Sequence, residues 1–277
     1  MRIDELRARG RQVLKGLGIE SFALDADLLI MHVMGFDKNE LLINGGAPVP
    51  EGLVARFEEM LARRCKFEPM QYILGRCEFM SLEFLVNENV LIPRGDTEIL
   101  VETVLANEAN ARGLEIGVGS GCVSISIAHY GEGIEMLGVD ICPGALRVAA
   151  LNGERLAGDG GPEFALSDLF EGIAPGRTFD FIVSNPPYIR TGEIAGLGAG
   201  VRDYEPVAAL DGGVDGLDFY RRIAARAGGY LVRGGRIYFE IGCEQGEDVA
   251  NLLSEHGFYS VRVVKDLAGL DRVVWGF

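Results

Sequence analysis

The run Gly113-Leu114-Glu115-Ile116-Gly117-Val118-Gly119-Ser120-Gly121, continued by CVSISIAHY to Tyr130, decides the fold. An apolar strand, a glycine loop and an apolar helical stretch follow one another without interruption. Glycine tolerates positive φ, so the loop turns tightly and lets a ligand approach the backbone at a helix N-terminus. The spacing is GxGxG, not the GxGxxG that seats a pyrophosphate, which favours a smaller adenosine ligand over a dinucleotide. Outward from this unit lie the strand-like runs EMLGVD (135–140), PEFALS (162–167), FDFIVS (179–184), RIYFEIG (236–242), FYSVRVV (258–264) and DRVVWGF (271–277), most of them separated by helical stretches. That alternation predicts an α/β architecture, a mostly parallel sheet covered on both faces. Only residues 265–270 separate the last two runs, too few for a parallel crossover. Seven strands with one reversed are expected.

The first 70 residues have a different period. Leu6, Val13, Leu14 and Leu17, then Leu24, Leu28, Leu29 and Met31, recur at helical intervals and are the predicted core of a small helical bundle. Gly18, Gly35 and Gly45-Gly46-Ala47-Pro48 punctuate its helices, and Pro50 opens another that runs through Leu53, Phe57, Met60 and Leu61. The segment RCEFMSLEFLVNENVLIP (76–93) switches to short β-prone runs around Asn87-Glu88-Asn89, as in a hairpin. The expected organisation is a helical domain over 1–74, a β-hairpin linker over 75–93 and an α/β domain over 94–277, the pattern shifting near residue 85.

Composition narrows the function classes. The chain of 277 residues is long enough for about two domains at roughly 150 residues each. The longest early uncharged apolar stretch, Leu28 to Phe36, falls far short of the roughly 20 residues that cross a bilayer. The N-terminus mixes acids and bases with no apolar run behind it, so neither membrane nor export is predicted and the cytoplasm is the expected setting. The net charge is −15, and −13 of it lies after residue 85, a field that repels phosphate backbones; no direct nucleic-acid binding is expected. Cys65, Cys77, Cys122, Cys142 and Cys243 form no CxxC pair, and His32, His129 and His256 are isolated, so no metal site is predicted. Cys122, at the start of a helix, has either a lowered pKa or a small-residue packing role.

Two further features carry chemistry. Asp140 ends the strand after the glycine loop, 19 residues beyond Gly121, where an acid accepts hydrogen bonds from ribose hydroxyls; it also reads as a cap for the helix starting near Pro143. Asn185-Pro186-Pro187-Tyr188 directly follows FDFIVS, at the sheet edge where open α/β sheets bind ligands. Two prolines fix φ and remove two donors, leaving carbonyls that only accept. The Asn185 side-chain oxygen and the Pro186 carbonyl are placed to take one N–H each of a planar NH2 group, on which Tyr188 would stack. Such a cradle orients a poor nucleophile for alkylation and needs no metal. On its own, Asn-Pro-Pro-Tyr also reads as a turn.

With these motifs the second domain resembles a class I S-adenosylmethionine-dependent methyltransferase with a Rossmann-like fold, and Asn-Pro-Pro-Tyr is the motif of its amino-methylating members. Pro69-Met70-Gln71-Tyr72-Ile73-Leu74-Gly75, Leu91-Ile92-Pro93-Arg94-Gly95-Asp96-Thr97-Glu98, Tyr204-Glu205-Pro206 and Asp215-Gly216-Leu217-Asp218-Phe219-Tyr220 resemble the PrmC (HemK) release factor glutamine methyltransferases, over essentially the whole chain. The resemblance implies that Gly117, Val118, Gly119, Ser120 and Gly121 wrap the methionine part of S-adenosylmethionine, with Glu115 near its ammonium. Asp140 holds the ribose, Asp168 and Leu169 flank the adenine, and Asn185 touches both cofactor and substrate. Asn185, Pro186, Pro187 and Tyr188 form the catalytic and substrate-binding motif. Glu115 stands where Asp is common, Val118 where Thr is usual and Leu169 where an aromatic is common. The implied substrate is the glutamine of the Gly-Gly-Gln loop of class 1 peptide chain release factors. Three alternatives stand beside it: a ribosomal protein glutamine, the exocyclic amine of a DNA base, and a non-catalytic assembly protein. The charge of the second domain argues against DNA. Arg94, Asp96 and Glu98 either line the cleft or, for Asp96 and Thr97, cap the next helix. Arg56, Arg63, Arg64 and Lys66 read as a solvated helix face or as a contact for an acidic partner, and the loop 189–215 as a cover over the substrate.

Overall fold

The computed structural model describes residues 1–277, the side chain of residue 159 excepted. The chain divides into two units, Met1–Gly75 with Gly198–Tyr204, and Arg76–Leu197 with Glu205–Phe277. The first unit holds helices α1 (Ile3–Gly16), α2 (Phe22–Met34), α3 (Lys38–Ile43), α4 (Glu51–Arg64) and α5 (Met70–Leu74). Asp37 and Glu40 form a capping box on α3, each side chain accepting from the other's backbone N–H. Gly35 and Gly75 end α2 and α5 in the left-handed region, at φ 69° and 72°.

The buried stripe of α1 is Ile3, Leu6, Gly10 and Leu14. Gly10 belongs to it because a Cβ there would stand 2.9 Å from the Phe57 ring. Leu6, Leu14 and Leu29 are core as expected, whereas Val13, Leu17 and Leu24 are exposed. Val13 sits one step off the stripe, and Leu17, although three residues beyond Leu14, is the C-cap residue past the end of α1. Arg64 donates to buried Asp25 at 2.7 Å and Arg63 to Glu68 at 2.9 Å, so these two cations hold their own unit together rather than forming a free basic face.

The second unit begins with a hairpin, β1 (Arg76–Phe79) and β2 (Leu82–Leu85). Its turn is Met80-Ser81, not the asparagine run anticipated from the sequence. Both residues have positive φ, 49° and 59°, as a two-residue hairpin turn demands. Asn87 instead accepts from the Asn89 N–H at 2.9 Å and turns the chain out of β2. There follow α6 (Glu98–Leu105), β3 (Arg112–Ile116), α7 (Cys122–Tyr130), β4 (Glu135–Asp140), α8 (Pro143–Leu156), β5 (Glu163–Leu166) and β6 (Phe179–Ser184). Residues 198–204, with the short α9 (Ala199–Arg202), belong to the first unit. Then come α10 (Asp218–Ala227), β7 (Leu231–Glu240), α11 (Gly246–Glu255), β8 (Arg262–Lys265) and β9 (Asp271–Gly276).

The seven-stranded sheet has the order β5-β4-β3-β6-β7-β9-β8. β9 runs antiparallel to both its neighbours and the other pairs are parallel, so one strand is reversed as expected. Both faces are apolar: Ile182 joins one core cluster, while its neighbours Phe181 and Val183 join the other. A strand buried on both sides reads as the unbroken apolar run seen in FDFIVS. The strand order reverses between β3 and β6, which opens a crevice at their carboxyl ends. Among the described residues no helix is long and apolar enough to cross a membrane.

Gly113, in central β3, pairs with Met136 on one side and Phe181 on the other. A Cβ there would overlap the Phe181 ring and the Met136 sulfur. Gly113→Ala is therefore expected to destabilise the chain by about 1–3 kcal/mol, the usual cost of overpacking. Urea unfolding checks this. Adding Phe181→Leu should recover part of the loss, and an unchanged midpoint in the single variant would contradict the packing.

Candidate active site

A cavity of about 650 Å³ opens at the carboxyl ends of β3, β4, β5 and β6. Glu115, Gly117, Val118, Gly119, Ser120, Asp140, Asp168, Leu169, Asn185, Pro186 and Pro187 all line it, so most of the residues singled out from the sequence meet there. Gly121 and Tyr188 do not line it. Gly121 is the N-cap of α7 at φ 82°, and a Cβ there would crowd Ile125 and Ala149, so its smallness serves helix packing. Tyr188 packs, partly buried, against the core beneath the sheet edge. Gly117 and Gly119 adopt φ 81° and 55°, and a Cβ on either would meet nothing within 4 Å. The open side of both glycines belongs to the cavity.

Asp140 does two jobs within the protein. Its Oδ2 accepts from the Gly119 N–H at 2.9 Å, tying the loop to β4, and its Oδ1 accepts from the Cys142 N–H at 2.8 Å at the start of α8. A carboxylate has about four acceptor positions. Lone pairs therefore remain on both oxygens for a ligand. Leu169, at φ 51°, is held in its left-handed conformation as the Ser167 hydroxyl donates to its carbonyl at 2.7 Å. Asp168 pairs with Arg222 at 2.9 Å, and Phe219, under the same guanidinium, also lines the cavity.

Glu115 is the buried acid of the site. Its Oε2 accepts from the Ser124 N–H at 2.9 Å and from the Ser124 hydroxyl. Burial nevertheless pushes its pKa up to about 8, against the lowering effect of those two bonds. Burial also pushes the Cys122 thiol far above its ordinary value, the reverse of activation by a helix N-terminus. Glu240, at the end of β7, is likewise raised by burial, to about 7.

The segment before α6 departs from the cap reading and meets the cleft reading at Arg94 alone. Thr97 makes no cap; its hydroxyl accepts from Asn185 Nδ2 at 3.3 Å. Asp96 pairs with Arg272 at 3.1 Å, and Glu98 accepts from the Met80 N–H at 2.6 Å. Only Arg94 and Thr97 of this group line the cavity. Arg94 pairs with buried Glu205, which also accepts from the Ile92 N–H at 3.2 Å. Glu205 thereby anchors the start of the stretch Pro206–Ala209, which walls the cavity. Sequence reasoning passed over Ile141, an apolar side chain that is 63% exposed yet lines the cavity beside Asp140. Its position one residue after the strand-end acid was the available signal.

The two raised carboxyls make stability depend on pH. Unfolded, each releases its proton near 4.5; folded, they hold it up to about 8 and about 7. Their stabilising contribution is full below pH 4.5 and fades as pH rises through those values. Chemical denaturation without ligand should show falling stability from pH 5 to 8. Glu115→Gln should lose less over that range, and an identical pH dependence in the variant would contradict the assignment.

Comparison with known proteins agrees with this architecture. Residues 5–75 match the PrmC N-terminal domain family and residues 94–197 the methyltransferase small domain family. The chain is 41% identical to the release factor glutamine methyltransferase of Clostridium acetobutylicum, over 99% of this chain and 98% of that protein. It is 43% identical to that of Geobacter sulfurreducens, over 96% of this chain and 93% of that protein. In fold it is similar to a T. thermophilus 16S rRNA N2 G1207 methyltransferase solved in complex with AdoMet and guanosine. That likeness has a TM-score of 0.52 at 18% identity, over 73% of this chain and 49% of that one. A Rossmann-like sheet with a crevice at the β3–β6 switch point, full-length likeness to these enzymes and the Asn185-Pro186-Pro187 segment lining that cavity lead to one conclusion: the chain belongs to the release factor glutamine methyltransferase family and uses S-adenosylmethionine.

Proposed function

We propose that the chain methylates the side-chain amide nitrogen of the glutamine in the Gly-Gly-Gln loop of class 1 peptide chain release factors. The relatives' activity, read from their names, supplies the substrate class. The observation that carries the reading is that Asn185, Pro186 and Pro187 share one cavity with the glycine loop and Asp140.

The residues present fit the cofactor. Gly117 and Gly119 leave room where a Cβ would otherwise project, and Asp140 keeps acceptor positions for the ribose hydroxyls. Glu115 lines the cavity and would hold the methionine ammonium, a cation that would draw its raised pKa back down and favour the carboxylate. Ile141 and Leu169 offer apolar surface to the adenine, with Asp168 at its edge. When bound, S-adenosylmethionine supplies an electrophilic methyl group on a positively charged sulfur.

The protein's task is to make an amide nitrogen attack it. That nitrogen is nearly non-basic because its lone pair is delocalised into the carbonyl. Asn185 Oδ1 and the Pro186 carbonyl each accept one of its N–H bonds, which orients the lone pair and stabilises the positive charge that grows as the N–C bond forms. Pro186 and Pro187 present no N–H that would compete. Tyr188 lies outside the cavity and packs against the core, so it supports the motif from behind rather than stacking on the amide. Burial raises the Tyr188 phenol to about 12, so it remains neutral at physiological pH. The surplus amide proton leaves to solvent once the positive charge has formed.

Labelled S-adenosylmethionine, purified candidate release factors and mass spectrometry test the assignment: the methyl group should appear on the Gly-Gly-Gln glutamine. Equal incorporation into duplex DNA would contradict it. Asn185→Ala should lower kcat by about 100- to 1,000-fold, the usual cost of losing one charge-stabilising partner, while cofactor binding is only partly weakened. Near-normal turnover would remove Asn185 from the mechanism.

A further inference from the structure

Asn185 acts as an acceptor only if its oxygen, and not its NH2 group, faces the amide. A carboxamide has both ends to offer, and the choice is made by what surrounds it. Behind Asn185 the surroundings are one-sided. Its Nδ2 donates to the Thr97 hydroxyl at 3.3 Å. Glu240 comes next, 2% exposed, with Oε2 buried and unpartnered; Thr97 and Asn185 are the side chains that favour its charged form by hydrogen bonding. A carboxylate accepts and never donates, so it attracts the NH2 end of Asn185 and the hydroxyl hydrogen of Thr97. The Thr97 oxygen is then free to accept the second Asn185 hydrogen. With its nitrogen engaged on this side, Asn185 is left with its oxygen for the cavity it lines.

We infer that Glu240 and Thr97 are positioning residues that fix the Asn185 carboxamide with its oxygen toward the acceptor nitrogen. The inference rests on the acceptor role proposed for Asn185 and adds the device that enforces it. Glu240 does not line the cavity and Thr97 does, but in this scheme both act through Asn185 rather than by bonding to substrate or cofactor.

The device depends on the charge of Glu240. Once protonated, Glu240 becomes a donor, its proton can go to Asn185 Oδ1, and the carboxamide is then held the wrong way round. The charged and titratable groups around Glu240 are Arg272 on β9, Asp96 before α6, Tyr188 after β6, Tyr220 on α10 and Cys122 on α7. Tyr220 donates its hydroxyl to the Glu240 backbone carbonyl at 2.9 Å. Tyr188, Tyr220 and Cys122 are all pushed above their ordinary values and stay neutral, while Arg272 stays charged and pairs with Asp96. Glu240 itself is raised to about 7, so kcat should fall as pH drops below that value.

The test uses the full-length enzyme with a release factor substrate at saturating S-adenosylmethionine, so that titration of Glu115 against the cofactor does not enter kcat. Glu240→Gln should lower kcat by roughly 10- to 100-fold, the range typical of losing a residue that orients a binding group, and should abolish the acid limb of the pH profile. Thr97→Val should lower kcat similarly with the cofactor dissociation constant unchanged, and Thr97→Ser, which keeps the hydroxyl, should restore most of it. Should Glu240→Gln fail to bind cofactor, the two Thr97 variants and the wild-type profile decide. Wild-type kcat in Glu240→Gln with the acid limb intact, or equal losses in Thr97→Val and Thr97→Ser, would overturn the proposal. If Asn185→Ala is inactive while these variants are normal, the positioning role alone falls; if Asn185→Ala is active, the acceptor reading falls first.

Discussion

Two consecutive prolines at the carboxyl end of β6 create a stretch of backbone that accepts hydrogen bonds and donates none, and the acceptor role proposed for this segment depends on it. Neither Pro186 nor Pro187 has an N–H, and Pro187 restricts the ψ of Pro186 before it, which limits the freedom of the Pro186 carbonyl to turn away. A rigid backbone acceptor and the Asn185 side chain next to it then meet the requirement of a flat NH2 group, one oxygen for each hydrogen. The sheet supplies the rest of the geometry. Because β6 lies beside β3, this segment and the glycine loop open into the same crevice, and donor and acceptor meet without a domain being built for either.

Much of this was legible in the sequence, for local reasons. The glycines at 117 and 119 announced positive φ and an open face, which are properties of single residues. FDFIVS announced a strand buried on both sides, and the short link before DRVVWGF announced the reversed strand β9. Where reading failed, tertiary structure outweighed local preference. Asn87-Glu88-Asn89 has better turn chemistry than Met80-Ser81, yet the hairpin turns at Met80-Ser81, where Phe79 and Phe84 pack edge to face across the two strands. Val13, Leu17 and Leu24 fit a helical period and are exposed, because periodicity identifies apolar positions without saying which the neighbouring helices cover. The roles of Thr97 and Glu240 were invisible for a stronger reason. They lie 88 residues before and 55 residues after Asn185, and nothing local to either residue refers to it.

The two buried acids show how the site holds charge in an apolar setting. Burial disfavours both carboxylates, and hydrogen bonds from Ser124 to Glu115 and from Thr97 and Asn185 to Glu240 offset it only in part. Asp140 is already bonded to the Gly119 and Cys142 N–H groups, holding the loop in shape before any ligand arrives.

A crystal structure with S-adenosylhomocysteine and a release factor bound tests the central claim most directly. The account predicts both Asn185 Oδ1 and the Pro186 carbonyl oxygen within about 2.7–3.2 Å of the glutamine amide nitrogen, the normal range for an N–H donor to an oxygen. Either oxygen turned away from that nitrogen, or the Asn185 NH2 group facing it, would contradict the account.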